Sequence, residues 1–186
     1  MGGLYVEISA AMWLVWVISW KVASFWRARP TVEAPPNQYR FFFAVVVLGF
    51  LLTFGVVPWQ FERLWNPGTA LGWAMVGLTA AGLAFTWWAR VAMGRLWNGG
   101  VSRTAEHRVI ESGPFALVRH PIYTGMIAAV WSVAILQARP LALLGAALFT
   151  LGFVLKARVE EAFLAGEFPD YAAYRKRVRM IVPFVI

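Results

Sequence analysis

Five long apolar stretches constrain the fold of this chain more than any other feature of its sequence. They are residues 4–26, 41–58, 71–89, 122–137 and 141–155. A helix needs about 20 apolar residues to cross roughly 30 Å of hydrocarbon, and the first three runs meet that length within tolerance. The last two are shorter, and the turn-forming residues 137–140 separate them, which predicts a helical hairpin whose ends continue as helix into water.

Composition favours the membrane over a soluble fold. Hydrophobic residues make up 60% of the 186, and they occur in blocks with no polar face to present to water. A soluble protein with five buried helices is the alternative. The chain has no cysteine, which excludes disulfides, thiol nucleophiles and cysteine-ligated metal sites. The predicted fold class is therefore an all-α integral membrane protein with five transmembrane helices.

The net charge of +8 indicates orientation rather than nucleic-acid binding, because the basic residues lie between the apolar runs and form no stripe. With the N-terminus outside, all 17 Lys and Arg residues except Arg63 and Arg139 fall on the cytoplasmic side. The polar segments 90–121 and 156–186 then share that side. We expect two parts: three transmembrane helices in 1–93 and a second half in 94–186, where any catalytic residues should lie.

Residues 113–125, which read GPFALVRHPIYTG, lie where the polar segment meets the fourth apolar run. Pro121 disfavours α conformation in the residue before it and suits the first turn of a helix. The stretch thus places Arg119, His120 and Tyr123 at the border between water and membrane. Arg119 and His120, taken singly, are also explained as an interfacial anchor.

A second group of charged residues lies where the last apolar run ends. Lys156 and Glu160 are four residues apart and hence neighbours on a helix surface, with Arg158 and Glu161 beside them. Ordinary solvated pairing would explain them. We expect them on the same side of the membrane as residues 113–125. This position instead suggests a functional cluster, because ionisable groups at a membrane border mark functional sites.

The polar segments also contain two local patterns. Residues 106–110 are strand-like before the turn at 112–114. In the tail, an aromatic stripe comprises Phe168, Tyr171 and Tyr174, with Val178 following on the same helical face. Such a stripe is typical of a packing or interfacial face. We also expect it to fold over a pocket as a lid.

The ordered string G-P-F followed by R-H-P-x-Y-x-G resembles the signature of the isoprenylcysteine carboxyl methyltransferase family, integral-membrane enzymes that use S-adenosylmethionine. The resemblance extends over roughly residues 94 to 184. It implies a cytoplasmic cofactor pocket formed by the 90–121 loop and the C-terminal helices. The positions that match cofactor contacts are His107, Arg108, Val109, Ile110, Phe115, Arg119, His120, Pro121, Ile122, Tyr123 and Glu160.

The residue types exclude several other chemistries. His107 and His120 are the only histidines, and no carboxylate lies at metal-ligand spacing to either. No Ser-His-Asp arrangement and no Walker or Rossmann glycine pattern is visible. Methyl transfer from a sulfonium fits what remains, because the reagent is already activated and the protein has only to position it and exclude water.

The resemblance also implies a lipophilic or prenylated acceptor that enters from the bilayer. A carboxylate acceptor needs no general base, and Arg158 or Lys156 would orient it. Several relatives carry arginine where this chain has Lys156, and lysine lacks the bidentate fork. A lipid amine must lose a proton from an ammonium with a pKa near ~10, and Glu160 or Glu161 would then be the base.

Two other classes of function remain open. One is a membrane reductase with a related C-terminal half that uses a nicotinamide cofactor or none. The other is a non-catalytic membrane scaffold. The sequence does not predict the oligomeric state.

Overall fold

The computed structural model describes residues 2–26, 32–33, 36–55, 62–97, 102–103 and 109–183. Within these ranges the chain is almost entirely helical. The helices are α1 (Gly2–Ala23), α2 (Pro36–Thr53), α3 (Thr69–Met93), α4 (Pro121–Gln137), α5 (Pro140–Glu167) and α6 (Tyr171–Arg177). Short 3₁₀ helices lie at Gly94–Leu96 and Gly113–Ala116.

Among the described residues, three helices are long and apolar enough to cross a membrane: Gly3–Ala23, Thr69–Leu96 and Pro140–Glu167. The apolar helices Phe41–Thr53 and Pro121–Gln137 are shorter. Each of the five predicted apolar runs thus contains a helix, and the all-helical class is confirmed. The second predicted run continues to residue 58, and residues 56–58 lie outside the described residues.

The strand expected at 106–110 is not found where the structure can test it. Val109 and Ile110 belong to no strand, and 106–108 lie outside the described residues. Two-residue strands occur instead at β1 (Val32–Glu33) and β2 (Ser102–Arg103), which pair in antiparallel register. The strand prediction is therefore wrong for Val109 and Ile110 and stays a prediction for 106–108.

A tight turn joins α4 to α5, as predicted. Ala138 closes α4 in the left-handed conformation, with φ of 54°, and its N–H donates to the Ala134 carbonyl at 3.0 Å. The Leu64 N–H donates to the Ala138 carbonyl at 2.7 Å. Beyond the turn, α5 runs unbroken for 28 residues to Glu167. It therefore carries its charged end well past the apolar run, as expected from the helical period.

Glycines let two pairs of helices approach until their backbones touch. On α2 and α5, a Cβ added at Gly145 would lie 2.6 Å from the Gly49 carbonyl oxygen. On α3 and α4, a Cβ added at Gly82 would lie 2.6 Å from the Gly125 carbonyl oxygen. Such separations leave no room for any side chain, so these two contacts fix the spacing of the helices. Small residues play this part in membrane helix packing generally.

Aromatic side chains fill the space between these helix pairs. Trp13 is almost fully buried and makes edge-to-face contacts with Trp16 and Phe50. The Trp16 indole N–H donates to the Thr86 hydroxyl at 2.6 Å, which ties α1 to α3. Edge-to-face aromatic pairs contribute about 0.5–1.5 kcal/mol each beyond their buried area. The bundle core is therefore mainly apolar, and among the described residues the buried Trp13 indole N–H and Ser9 hydroxyl have no hydrogen-bond partner.

The C-terminal tail returns to pair with the motif stretch. Val118 and Arg179 form a parallel β-bridge. The Arg119 N–H donates to the Arg179 carbonyl at 2.8 Å, and the His120 N–H donates to the Met180 carbonyl at 3.0 Å. The backbone that presents Arg119 and His120 is therefore held on one side by α4 and on the other by the tail.

Candidate functional site

An ion pair between Arg119 and Glu161 lies at the centre of a polar cluster. The other members of this cluster are His120, Tyr123, Lys156 and Glu160. Arg119 Nε donates to Glu161 Oε1 at 2.7 Å, and the two side chains are only 7% and 5% exposed. The other end of the guanidinium donates to the carbonyls of Arg175, at 3.1 Å, and of Val178. The planar fork of arginine can satisfy all these acceptors at once. Arg119 thereby joins α5 to the tail.

His120 lies between Glu160 and Glu161, two adjacent glutamates of α5. Its Nε2 is 3.3 Å from Glu161 Oε1, and its Nδ1 is 3.5 Å from Glu160 Oε2. The imidazole stacks on the Tyr123 ring with 5.3 Å between centroids and 8° between planes. This stacking and the hydrogen bond from the His120 N–H to the Met180 carbonyl fix the position of the imidazole. Each of its two nitrogens therefore faces a carboxylate.

Glu160 is held by a separate set of partners. The Tyr123 hydroxyl lies 2.7 Å and 2.8 Å from its two carboxylate oxygens and donates to them. Lys156 Nζ lies 3.6 Å from Glu160 Oε1 and 5.2 Å from the centroid of the Tyr123 ring. The Phe153 ring packs against the Tyr123 ring, with 4.6 Å between the two ring centroids. Glu160 therefore faces the apolar bundle, whereas Glu161 faces the tail.

A cavity of about 80 Å³ lies beside this cluster. Its wall is mostly apolar and aromatic, with two polar residues of the motif. Tyr174 on α6 closes one side and donates its hydroxyl hydrogen to the Phe115 carbonyl at 2.7 Å. The lining residues are Met93, Leu96, Val109, Ile110, Phe115, Arg119, His120, Leu164, Tyr171 and Tyr174.

Burial controls the protonation of the two tail tyrosines. It raises the pKa of Tyr171 and of Tyr174 well above the ordinary value of a phenol, and the Glu161 carboxylate raises the pKa of Tyr171 further. Both phenols therefore stay protonated throughout the physiological range, and the Tyr174 hydroxyl remains a hydrogen-bond donor.

The structure brings most of the predicted site residues together. Five of them line the cavity, and Tyr123, Lys156, Glu160 and Glu161 complete the cluster next to it. Pro121 is buried at the first turn of α4, and Ile122 is half-buried beside it. His107 and Arg108 lie outside the described residues. The five lining residues are Val109, Ile110, Phe115, Arg119 and His120.

Arg158 does not join the cluster. Its side chain is exposed on α5, while its neighbour Ala157 is fully buried. Two residues along a helix turn the side chain by about 200°, so Arg158 cannot share the face of Lys156 and Glu160. The sequence pattern identified the charged segment correctly but could not tell which of its cations faces the site.

Sequence reasoning missed three lining residues, Met93, Leu96 and Leu164. They are apolar residues at or near helix ends and carry no chemical signal that separates them from ordinary core. The tail tyrosines did carry one, since their helical spacing in an aromatic stripe predicted a lid. Arg175 was not singled out either, although its Nε lies 3.5 Å from Glu161 Oε2.

The residue types around the cavity suit S-adenosylmethionine. Phe115, Tyr171 and Tyr174 give flat surfaces for an adenine ring. The carboxylates next to His120 can accept hydrogen bonds from ribose hydroxyls or an amino group. Pockets for ligands of this size are usually about 300–1,000 Å³. The cavity is smaller, so a cofactor held here must extend past it, and the carboxylates beside His120 are the nearest polar groups.

Comparison with known proteins agrees with the motif. The family model described as the isoprenylcysteine carboxyl methyltransferase (ICMT) family matches residues 75–166. That range contains residues 113–125 and also Glu160 and Glu161, and it ends before the tail that closes the cavity. The family match therefore covers the polar cluster and leaves out α1, α2 and α6.

Three relatives match parts of the chain. The cobalt-zinc-cadmium resistance protein CzcN of Cupriavidus metallidurans is 30% identical over 74% of this chain, which spans 61% of that relative's length. The nickel-cobalt-cadmium resistance protein NccN of Alcaligenes xylosoxydans xylosoxydans is 26% identical over 83% of this chain and 72% of its own length. Methanethiol S-methyltransferase 1 of Bradyrhizobium diazoefficiens is 38% identical over 38% of this chain and 24% of its own length.

The motif, the cluster that it forms with α5 and the match of the family model point to one assignment. With three helices long and apolar enough to span a membrane, the chain belongs to the isoprenylcysteine carboxyl methyltransferase family of integral membrane proteins.

Proposed function

We propose that this chain is an S-adenosylmethionine-dependent methyltransferase that acts on a lipophilic acceptor held in the membrane. The observation that carries the proposal is the position of His120. It lines the cavity and also lies within 3.5 Å of Glu160 and Glu161 on α5. A cofactor in the cavity and an acceptor on the bundle side of Glu160 would thus meet at this ring.

The cofactor supplies an activated methyl group, so the residues have only to bind, orient and shield. Phe115, Tyr171 and Tyr174 exclude water from one side. The Arg119–Glu161 pair fixes the tail and the imidazole. Electrostatic interactions are stronger in such a dry site, and no group has to reorganise during the reaction. Positioning alone can lower a barrier by about 7–11 kcal/mol when two reactants are aligned.

The family name suggests a carboxylate acceptor and the name of one relative suggests a thiol, and the lipid amine considered from the sequence is the third class. An amine or a thiol must lose a proton. Glu160 is the better candidate base, because it pairs with one lysine and is 16% exposed, whereas Glu161 pairs with two arginines and is only 5% exposed. Glu160 also lies nearer to Phe153 and the apolar bundle, from which a lipophilic acceptor would arrive.

The proposed arrangement in the membrane has five spans, the N-terminus outside, and the site on the cytoplasmic face. It is supported by the five apolar helices and by the distribution of Lys and Arg. Single cysteines introduced at Gly68 and at Ile186 test it, because the chain has no native cysteine. We expect a membrane-impermeant reagent to label them from opposite sides. Labelling of both from one side contradicts the five-span topology.

The test of the function is a binding measurement on the protein in lipid nanodiscs. We expect calorimetry to detect S-adenosylhomocysteine and not NADPH. Binding of NADPH alone would favour the reductase alternative, and binding of neither would favour the scaffold.

Substitutions localise the binding site. Charge-assisted hydrogen bonds contribute about 1.5–3 kcal/mol each, which corresponds to a loss of affinity of about ten- to a hundredfold. We expect His120→Ala and Glu160→Gln to weaken S-adenosylhomocysteine binding by such factors. Arg95→Ala, an exposed cation on the 3₁₀ helix at Gly94–Leu96, should change it far less. Equal losses in all three variants would mean that only bulk charge matters.

A further inference from the structure

We propose that Lys156 determines which acceptor is methylated, and that the acceptor of this chain is a lipophilic thiol. This inference rests on the proposed function and names the substrate class of the same site. The evidence is the position of the Lys156 ammonium between the Glu160 carboxylate and the face of the Tyr123 ring.

Lys156 already fills the place that an alkylammonium acceptor would need. A carboxylate beside an aromatic face is the usual environment in which proteins bind organic cations. Here Lys156 Nζ lies 3.6 Å from Glu160 Oε1 and 5.2 Å from the Tyr123 ring centroid, with only 19% of its side chain exposed. An ammonium acceptor would have to displace this lysine or share the carboxylate with a like charge. The site therefore disfavours a lipid amine.

A carboxylate acceptor is disfavoured for the opposite reason. Each described cation at the site is matched by a carboxylate: Lys156 by Glu160, and Arg119 and Arg175 by Glu161. An anionic acceptor at this position would have the Glu160 carboxylate next to it. The exposed Arg158 points elsewhere and cannot offset that repulsion. A neutral acceptor meets neither difficulty.

A thiol is neutral at pH 7, because even the relatively acidic cysteine thiol has a pKa of about 8.5, so it repels neither the Lys156 ammonium nor the Glu160 carboxylate. In the proposed step, the thiol sulfur forms a bond to the methyl carbon of the cofactor while the bond from that carbon to the sulfonium sulfur breaks. The electron pair of the broken bond stays on the sulfonium sulfur and neutralises it. The S–H proton passes to the Glu160 carboxylate, so charge balances.

Three acceptors with the same chain test the proposal: 1-dodecanethiol, dodecylamine and dodecanoate. The protein is used at full length in nanodiscs, saturated with S-adenosylhomocysteine, and its melting temperature is measured with each compound. Turnover of S-adenosylmethionine is measured in parallel. We expect stabilisation and turnover with the thiol, and rates at least about tenfold lower with the amine and the carboxylate. A preference for dodecanoate or dodecylamine would overturn the proposal.

Lys156→Met keeps the apolar stem of the side chain and removes the charge. We expect dodecylamine to stabilise this variant, and the ratio of amine to thiol turnover to rise by about tenfold. Lys156→Arg should keep the ranking of the wild type, because it keeps the cation. Lys176→Ala removes an exposed lysine of α6 and serves as the matched control with unchanged ranking.

Two results separate this inference from the proposed function. An unchanged amine-to-thiol ratio in Lys156→Met would show that Lys156 does not select the acceptor, even when S-adenosylhomocysteine still binds. Absence of S-adenosylhomocysteine binding in the wild type would instead overturn the proposed function, and this inference with it. If Lys156→Met does not fold, the preference of the wild type among the three compounds still decides the substrate class.

Discussion

The apolar bundle and the polar cluster are built from the same helices but held together by different forces. Near the start of α4, Tyr123 donates to Glu160, whereas Gly125, two residues later, packs directly against the backbone of α3. The bundle depends on shape, because lipid gives its helices no hydrophobic reason to associate. The cluster depends on charge and hydrogen bonds. The charged groups of the cluster thus lie towards the helix ends, while the helix interiors set the spacing.

Arg90 is a buried charged residue in the described part of the bundle. It nevertheless agrees with this division, because it lies in the last turn of α3. It is only 1% exposed, and its guanidinium donates to the carbonyls of Ala23, at 2.8 Å, and Trp26, at 2.7 Å. It also donates to the Gly94 carbonyl and lies 4.6 Å from the Trp97 ring centroid. Carbonyls at helix ends lack intrahelical partners, and a cation there compensates for them. The charge therefore serves a helix end here too.

The largest expected effect comes from removing the tail. A chain truncated after Glu167 loses Tyr171 and Tyr174 from the cavity wall and the backbone partners of Arg119 and His120. We expect S-adenosylhomocysteine binding to be abolished while the helical content of the bundle, measured by circular dichroism, stays. Unchanged affinity for S-adenosylhomocysteine in the truncated chain would indicate that the aromatic stripe is an interfacial face and not a lid.

A side chain introduced between two touching helices should damage the bundle instead. Gly145→Val places methyl groups where a Cβ alone would lie 2.6 Å from Gly49 O. Overpacking of this kind costs about 1–3 kcal/mol or more, so we expect a clear fall in melting temperature. Gly77→Val is the matched control, since no atom lies within 4 Å of a Cβ at Gly77. Equal effects of the two substitutions would mean that helix propensity, and not close contact, explains the loss.

A smaller effect should separate the cluster from surface charge. Glu161→Gln removes the negative partner of a buried arginine, and we expect a loss of about 2–3 kcal/mol in unfolding free energy. Glu111→Gln removes the partner of Arg177 in a pair whose side chains are 38% and 60% exposed, and it should cost less than about 1 kcal/mol. Salt should weaken only the second pair. Comparable losses would contradict the central role of Glu161.

The helices were predictable because apolar length and proline positions are local signals. Pro121 and Pro140 mark the first residues of α4 and α5, as their chemistry suggests. The register of charges on α5 was not predictable to the same degree. A spacing of four correctly paired Lys156 with Glu160, but the side on which Arg158 falls depends on which face of α5 packs inward.

The division of work between Glu160 and Glu161 also required the structure. Adjacent residues on a helix point about 100° apart, so they necessarily meet different surroundings. Nothing in the sequence shows that one faces Tyr123 and the other faces Arg119. Likewise, the pairing of Val118 with Arg179 joins segments about sixty residues apart and uses backbone atoms, which leave no pattern in side chains.

The backbone pairing of Val118 with Arg179 affects which residues of the tail can vary in sequence. The two hydrogen bonds use the carbonyl oxygens of Arg179 and Met180 and place no requirement on the exposed side chain of Arg179, whereas Met180 is buried against Ala157 and Ile181. The family model ends at residue 166, whereas two tyrosines of the cavity wall lie beyond it. Variation in the tail can therefore reshape the wall of the cavity while the backbone that carries Arg119 and His120 stays anchored.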